Sequence, residues 1–204
     1  METQPISLNT DLKTDEMSDF QQWKKANGDD FSIWDYLSGV ANVEIALAFT
    51  KLFCPDLVEH DDGIFLSEAF NQEIYEQWKA ELGNDIAAIE RVMNHQHIDD
   101  LLPGAESVGV ENLFYLGQVI QQMWDIHLKA HYPERAFQVS CNQDEYTVVV
   151  TFCQTSPSHN LPTKVSVREK KQYSNIKGYT GYTKVKQERI SFSRSREDES
   201  IGKL

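Results

Sequence analysis

The clearest hydrophobic pattern in the chain runs from Val110 to His131. At 100° per residue this segment has one broad apolar stripe, formed by Leu113, Leu116, Ile120, Met123, Trp124 and Ala130. Its opposite face is polar and carries Glu111, Gln118, Gln121, Gln122, Asp125 and Lys129. Such a stripe is typical of an amphipathic helix with one buried face, so the pattern predicts a main core helix that ends before Pro133.

Apolar residues at helical spacing predict four further helices upstream. We expect them over residues 15–27, over residues 30–53, from a cap at Ser67 to Gly83, and over residues 85–95. The second of these carries Trp34, Leu37, Ala41, Ile45, Ala48, Phe49 and Leu52, with Gly39 as a point of bending. Residues 96–109, which include Pro103 and Gly104, are predicted to be a loop.

Two pairs of short apolar runs predict β-hairpins. Residues 57–60 and 64–66 flank the turn sequence Asp61-Asp62-Gly63, and residues 136–141 and 146–152 flank a second polar turn. Together with the helices, these hairpins predict an α+β fold: a predominantly helical domain packed on a small antiparallel sheet made of the two hairpins.

Charge divides the chain into segments. Residues 1–155 carry 8 Lys or Arg against 27 Asp or Glu, whereas residues 156–204 carry 11 against 5. With 40% hydrophobic residues and 11% aromatic residues, the chain can form a core and is not disordered throughout. We therefore expect a flexible N-terminus over 1–14, an acidic α+β domain over 15–155 and a basic tail, flexible or loosely β, over 156–204.

The cysteines and the lack of targeting signals bear on the cellular compartment. The sequence shows no signal peptide and no apolar run long enough to cross a membrane, and Cys54, Cys141 and Cys153 are widely spaced. This pattern indicates reduced thiols in a cytoplasmic protein. Cys54 at a helix end and Cys141 beside an acidic turn are poor nucleophiles, and no catalytic residue is assigned.

A metal site is one hypothesis for the long helix. His127 and His131 stand at positions i and i+4, a spacing that allows two imidazoles to bind one metal ion. A core histidine and a helix-capping histidine are the favoured explanation of the same pair, because a zinc site needs three or four ligands and the helix supplies two. Further ligands would have to come from one of two loop clusters: His95, His97, Asp99 and Asp100, or Glu59, His60, Asp61 and Asp62. No cofactor motif is present, so no cofactor is predicted.

The tail combines cations with tyrosines, a composition suited to single-stranded nucleic acid. The residues concerned are Lys170, Lys171, Tyr173, Tyr179, Tyr182 and Lys184. Because the acidic domain would repel nucleic acid, an intramolecular contact between tail and domain competes with this hypothesis.

The leading hypothesis is an interaction protein whose acidic surface binds a basic partner protein, possible forms being an inhibitor or an immunity-type protein. The expected contact residues are Glu59, Asp61, Asp62, Asp99 and Asp100. A metal-dependent enzyme using His127 and His131 with loop carboxylates is the alternative, and tail-mediated nucleic-acid binding is a third. High acidity that serves solubility alone competes with the leading hypothesis. No membrane partner is expected, and the oligomeric state stays open.

Overall fold

The computed structural model describes residues 11–102, 104–143 and 147–155. The predicted basic tail and most of the predicted flexible N-terminus lie outside these residues. Within the predicted N-terminus, the backbone of Lys13 is paired with a side chain of the long helix. Lys13 N donates to Asn112 Oδ1 and Asn112 Nδ2 donates to Lys13 O, both at 2.8 Å.

The described residues form a mixed α+β fold, as the sequence predicts. The helices are α1 Ser18–Asn27, α2 Ile33–Val40, α3 Val43–Phe53, α4 Gln72–Glu81, α5 Ile86–Met93, α6 Ile98–Leu101 and α7 Val110–His131. The strands are β1 Leu57–His60, β2 Gly63–Leu66, β3 Gln96–His97, β4 Phe137–Gln143 and β5 Val148–Gln154. Short 3₁₀ turns occupy Thr14–Glu16 and Ala105–Ser107.

The two predicted hairpins form, but they do not share one sheet. Strands β1 and β2 pair in an antiparallel two-stranded sheet, and the order β3-β5-β4 makes a second antiparallel sheet. The C-terminal end of α5 lies between the sheets: Nδ2 of Asn94, its C-cap residue, donates to both Ile64 O and Phe152 O. Hydrogen-bonding groups of β2 and β5 are thereby taken by α5, so the single predicted sheet is divided.

The helix predicted over residues 30–53 is two helices. The break lies at Ala41 and Asn42, both in extended conformation, and Asn42 Oδ1 accepts from Ile45 N at 2.9 Å to cap α3. The predicted cap at Ser67 is also displaced, because Asn71 caps α4. The predicted loop over 96–109 contains β3, α6 and a 3₁₀ turn, elements too short to show a period.

The core consists of two clusters that meet at β2. Ile64 and Leu66 face a cluster shared with α7 and β5, while Phe65 faces a second cluster shared with α4 and α5. Helix α7 is buried on more than its apolar stripe. Gln118, predicted on the solvent face, is 6% exposed, and Gln121 Nε2 donates to Val139 O of β4 at 2.9 Å. The polar side of α7 therefore covers the sheet.

No helix among the described residues combines the length and the apolar character that crossing a bilayer would require.

Candidate functional site

Helix α3 is apolar around almost its whole circumference. Its two charged residues, Glu44 and Lys51, are seven positions apart and therefore share one side of the helix. A helix that is hydrophobic all round is normally buried. Here residues 43–51 are all exposed, so α3 presents apolar side chains to solvent in more than one direction.

The C-terminal end of α3 is the part that is held by the core. Trp124 Nε1 of α7 donates to Leu52 O, and His127 Nε2 donates to the carbonyl of Pro55, both at 2.9 Å. Leu52 and Phe53 pack on the cluster around α7. Residues 43–51, which precede these contacts in α3, are exposed.

A groove with a volume of about 440 Å³ lies between α3 and the body of the domain. One wall is a stripe of α3 at spacings of three and four, formed by Ile45, Ala48, Phe49 and Leu52. The apolar part of the opposite wall comes from several elements and comprises Leu66, Ala69, Leu101, Leu102 and Trp124. The groove is thus lined mainly by aliphatic and aromatic side chains that are already in place.

The charged residues lining the groove are mostly acidic. Lys51 forms an ion pair with Asp56, with Nζ and Oδ2 2.6 Å apart. Glu68 and Asp100 are exposed and also line the groove, and within the described residues neither has an ion-pairing cation. The rim consequently carries net negative charge around an apolar interior.

Glu59 and Asp61, two predicted partner-binding residues, are engaged within the domain. Glu59 pairs with Arg135. Asp61 Oδ2 accepts from Lys79 Nζ at 2.6 Å and from the Tyr75 hydroxyl at 3.1 Å. The hydrogen bond from Lys79, followed by that from Tyr75, lowers the pKa of Asp61. These carboxylates are already partnered by local groups.

The turn residues have a structural role as well. Asp61 and Asp62 take positive φ angles of 47° and 67°, which acidic residues tolerate better than most side chains. The backbone carbonyl of Asp62 accepts from Gln154 Nε2 at 2.7 Å and from Arg135 Nη1 at 3.0 Å. Turn formation is therefore enough to account for this acidic pair.

The second acidic cluster lies at the far end of β5. Asp99 accepts from the hydroxyl of Thr147, which precedes β5, whereas Asp62 contacts Gln154 at its end. A seven-residue strand spans about 20 Å, so the two predicted clusters do not converge. Of the five predicted contact residues, Asp100 is the one that lines the groove.

His127 and His131 lie against each other on α7, with ring centroids 4.2 Å apart. His131 Nδ1 donates to the His127 carbonyl at 2.9 Å. Burial, followed by the charge of His131, lowers the pKa of His127. In the part of the chain that the structure describes, no three His, Cys, Asp or Glu side chains gather in a way that could hold a metal ion. Each imidazole instead contacts a backbone carbonyl, so the metal hypothesis gains no support from this geometry.

The remaining predicted chemistry concerns the thiols and the tail. Burial raises the pKa of Cys141 to about 12. Burial also raises the pKa of Cys153, although Arg91 Nη2 lies 3.4 Å from its sulfur. Both thiols therefore stay protonated at neutral pH. The tail residues proposed for nucleic-acid binding lie outside the described residues.

The groove was not predicted from the sequence, although a signal for it exists. Apolar residues at 45, 48, 49 and 52 indicate one buried face, but Val43 and Leu47 fall on the other side of the same helix. A helix of this kind needs cover on both sides.

Comparisons with models of known protein families, with curated proteins and with solved structures found no match for this chain. The candidate site is therefore defined by its geometry alone.

Proposed function

We propose that this chain is a protein–protein interaction module that binds an amphipathic, basic helical segment of a partner protein in the groove beside α3. The observation that carries the proposal is the combination of an apolar groove of about 440 Å³ with the rim carboxylates Glu68 and Asp100. An inhibitor or an immunity-type protein is one form that such a module can take.

The apolar lining supports a helical ligand. Helix-in-groove recognition places side chains at positions i, i+3 or i+4, and i+7 against a preformed apolar surface. The stripe of α3 that forms one wall has this spacing, so a second helix can lie along it. Each large apolar side chain moved out of water stabilises such a complex by roughly 1.5–3 kcal/mol.

The charge of the protein supports a basic ligand. The net charge is −13, and residues 1–155 contain 27 acidic residues against 8 Lys or Arg. A strongly acidic surface attracts cationic partners and accelerates their association. The structure supports this hypothesis best at the groove, because Glu59 and Asp61 of the predicted cluster already have Arg135 and Lys79 as partners.

Synthetic helical peptides test the proposal directly. One peptide is an amphipathic helix with Leu on one face and Lys on the other. The second peptide has Glu in place of every Lys. Fluorescence anisotropy with the full chain should show binding of the Lys peptide, weakening steeply with added salt, and no binding of the Glu peptide. Equal binding of both peptides would refute the basic partner.

A groove-filling substitution locates the binding. Ala48 is exposed on the α3 wall, and Ala48→Trp places an indole in the groove. We expect at least tenfold weaker binding of the Lys peptide. The matched control is Ala80→Trp, which adds the same side chain at an exposed position of α4 away from the groove and should bind as the natural chain does. Unchanged binding by Ala48→Trp would place the peptide elsewhere.

A further inference from the structure

The groove accounts for one side of α3, and the other side is also apolar and exposed. Val43 and Leu47 point about 180° away from the groove stripe. Helix α2 adds further exposed apolar side chains just before them. We define the outer face by its residues and their exposed fractions: Trp34 76%, Leu37 45%, Val40 41%, Val43 75% and Leu47 62%.

The five side chains of the outer face together expose a large apolar area. With about 150–250 Å² for an aromatic side chain and somewhat less for an aliphatic one, these fractions leave on the order of 500 Å² of apolar surface in water. This area, summed over α2 and α3, is comparable with the largest apolar patches found on monomeric proteins. A stable interface buries ~800 Å² per partner, so these side chains would supply more than half of the area that a dimer needs.

The distribution of charge indicates what covers this face. Between residues 33 and 49 the charged residues are Asp35 and Glu44. Asp35 Oδ2 accepts from both N and Oγ of Ser32, at 2.8 and 2.6 Å, in the cap of α2. Two copies that each carry a net charge of −13 repel one another over most of their surfaces. A nearly uncharged face is where they can approach at least cost.

A basic occupant fits this face poorly. The chain's own segment 156–204 has 11 Lys or Arg against 5 Asp or Glu, and a cationic partner has a similar preference for carboxylates. The segment 156–204 and a cationic partner are each attracted more strongly to the acidic surfaces elsewhere on residues 1–155 than to a face with two carboxylates.

We propose that two copies of this chain pack through their outer faces in a symmetric dimer. A twofold axis makes one apolar patch complementary to itself, and this is the commonest arrangement in homo-oligomers. The groove lies on the opposite side of α3 and stays open in such a dimer. Salt separates the two interactions: it screens the repulsion between copies and strengthens the dimer, whereas it weakens the binding of a basic peptide.

Sedimentation equilibrium of the full chain at low and high salt tests the proposal. We expect a dimer whose dissociation constant falls as salt rises. Leu47→Glu and Trp34→Ala should each weaken dimerisation at least tenfold, one by adding charge and the other by deleting contact area. Ile126→Glu is the matched control, because Ile126 is 46% exposed on α7 outside the outer face, and it should leave the dimer intact.

Several results would overturn the dimer. A monomer at all concentrations and both salt levels would do so. Slow hydrogen exchange of α2 and α3 in that monomer would indicate that another part of the chain covers the outer face. A dimer that both variants leave unchanged would place the interface elsewhere. Leu47→Glu should still bind the Lys peptide as the natural chain does, so failure of the dimer is distinguishable from failure of the groove.

Discussion

Glu90 shows how a single buried carboxylate organises this fold. It is fully buried on α5, where its oxygens accept from Ile64 N at 2.7 Å and from Gln154 N at 2.6 Å. Asn94, one turn later, accepts from Leu66 N at 2.9 Å. These two residues join the sheets that the sequence predicts as one. Their pairing partners are 26 to 64 positions away, so no local pattern reveals them.

The pH dependence of stability should reflect Glu90. Burial is the main cause that raises its pKa above the ordinary value of 4.5. A raised folded-state pKa means that the stability contributed by this group is fully present below the unfolded pKa and is lost as pH rises through the folded pKa. In urea unfolding, the free energy of unfolding of Glu90→Gln should therefore rise relative to that of the natural chain as pH increases from about 4 to 8.

The control for this experiment is Glu90→Ala. It leaves the amides of Ile64 and Gln154 without an acceptor, at roughly 1–3 kcal/mol for each buried donor. We expect it to be destabilised at every pH. A constant stability difference between Glu90→Gln and the natural chain from acid to neutral pH would contradict the raised pKa.

Gly117 allows α7 to lie close to the sheet. A Cβ at this position would stand 2.7 Å from both Cys141 Sγ and Val148 Cγ1. Gly117→Ala should therefore lower the free energy of unfolding by about 1–3 kcal/mol through overpacking. The ~1 kcal/mol that alanine gains over glycine in helix propensity offsets part of this cost, so the net loss should be up to about 2 kcal/mol.

Gly39 of α2 provides the matched comparison. A Cβ there would meet the ring of Trp23 at 3.0 Å, but Trp23 is a partly exposed side chain that can move. Gly39→Ala should be neutral or stabilising. Equal destabilisation of both variants in urea would show that the contact with the sheet is not the cause.

At the level of elements, α3 combines a strong cap with little packing. Asn42→Ala removes the acceptor for Ile45 N and should cost about 1 kcal/mol. Because the N-terminal half of α3 is exposed, this loss should appear as roughly fivefold faster hydrogen exchange in α3 with little change in global stability. Asn71→Ala, which uncaps α4 with its buried Tyr75 and Trp78, should lower global stability instead. Equal global losses would contradict the local character of α3.

An element could be predicted where local sequence signals define it, and it was missed where contacts distant along the chain define it. Helix α7 and the two hairpins were predicted because amphipathic periodicity, β-branched runs and turn residues are local signals. Strand β3 was missed because Gln96 pairs with Val150, far along the chain, and two residues show no alternation. The break between α2 and α3 was not predicted: the hydrophobic pattern predicts one helix with a bend at Gly39, although Asn42 is a favourable cap.

The candidate site was only partly predictable for a related reason. Asp100 was predicted as a contact residue and lies at the groove. The groove itself arises where α3, α6, α7 and the end of β2 meet, and sequence periodicity cannot show that a predicted helix stands partly clear of its core. The all-round apolar character of α3 was the available clue.

At the level of the whole molecule, two surfaces of different character adjoin α3. The groove pairs apolar walls with an acidic rim, and the outer face is apolar with little charge. The excess of carboxylates over cations in residues 1–155 then acts in opposite directions, favouring a basic ligand and opposing self-association except at the outer face. The opposite salt dependences of peptide binding and dimerisation follow from this single property.

The position of the bound basic peptide is the most direct test of the central claim. In a ¹⁵N NMR titration of the full chain with the Lys peptide, we expect the largest amide shifts at residues 45–52, 66–69 and 100–102, which contribute the groove walls. Shifts concentrated instead at the turn over residues 59–62, or spread evenly over the acidic surface, would contradict binding in the groove.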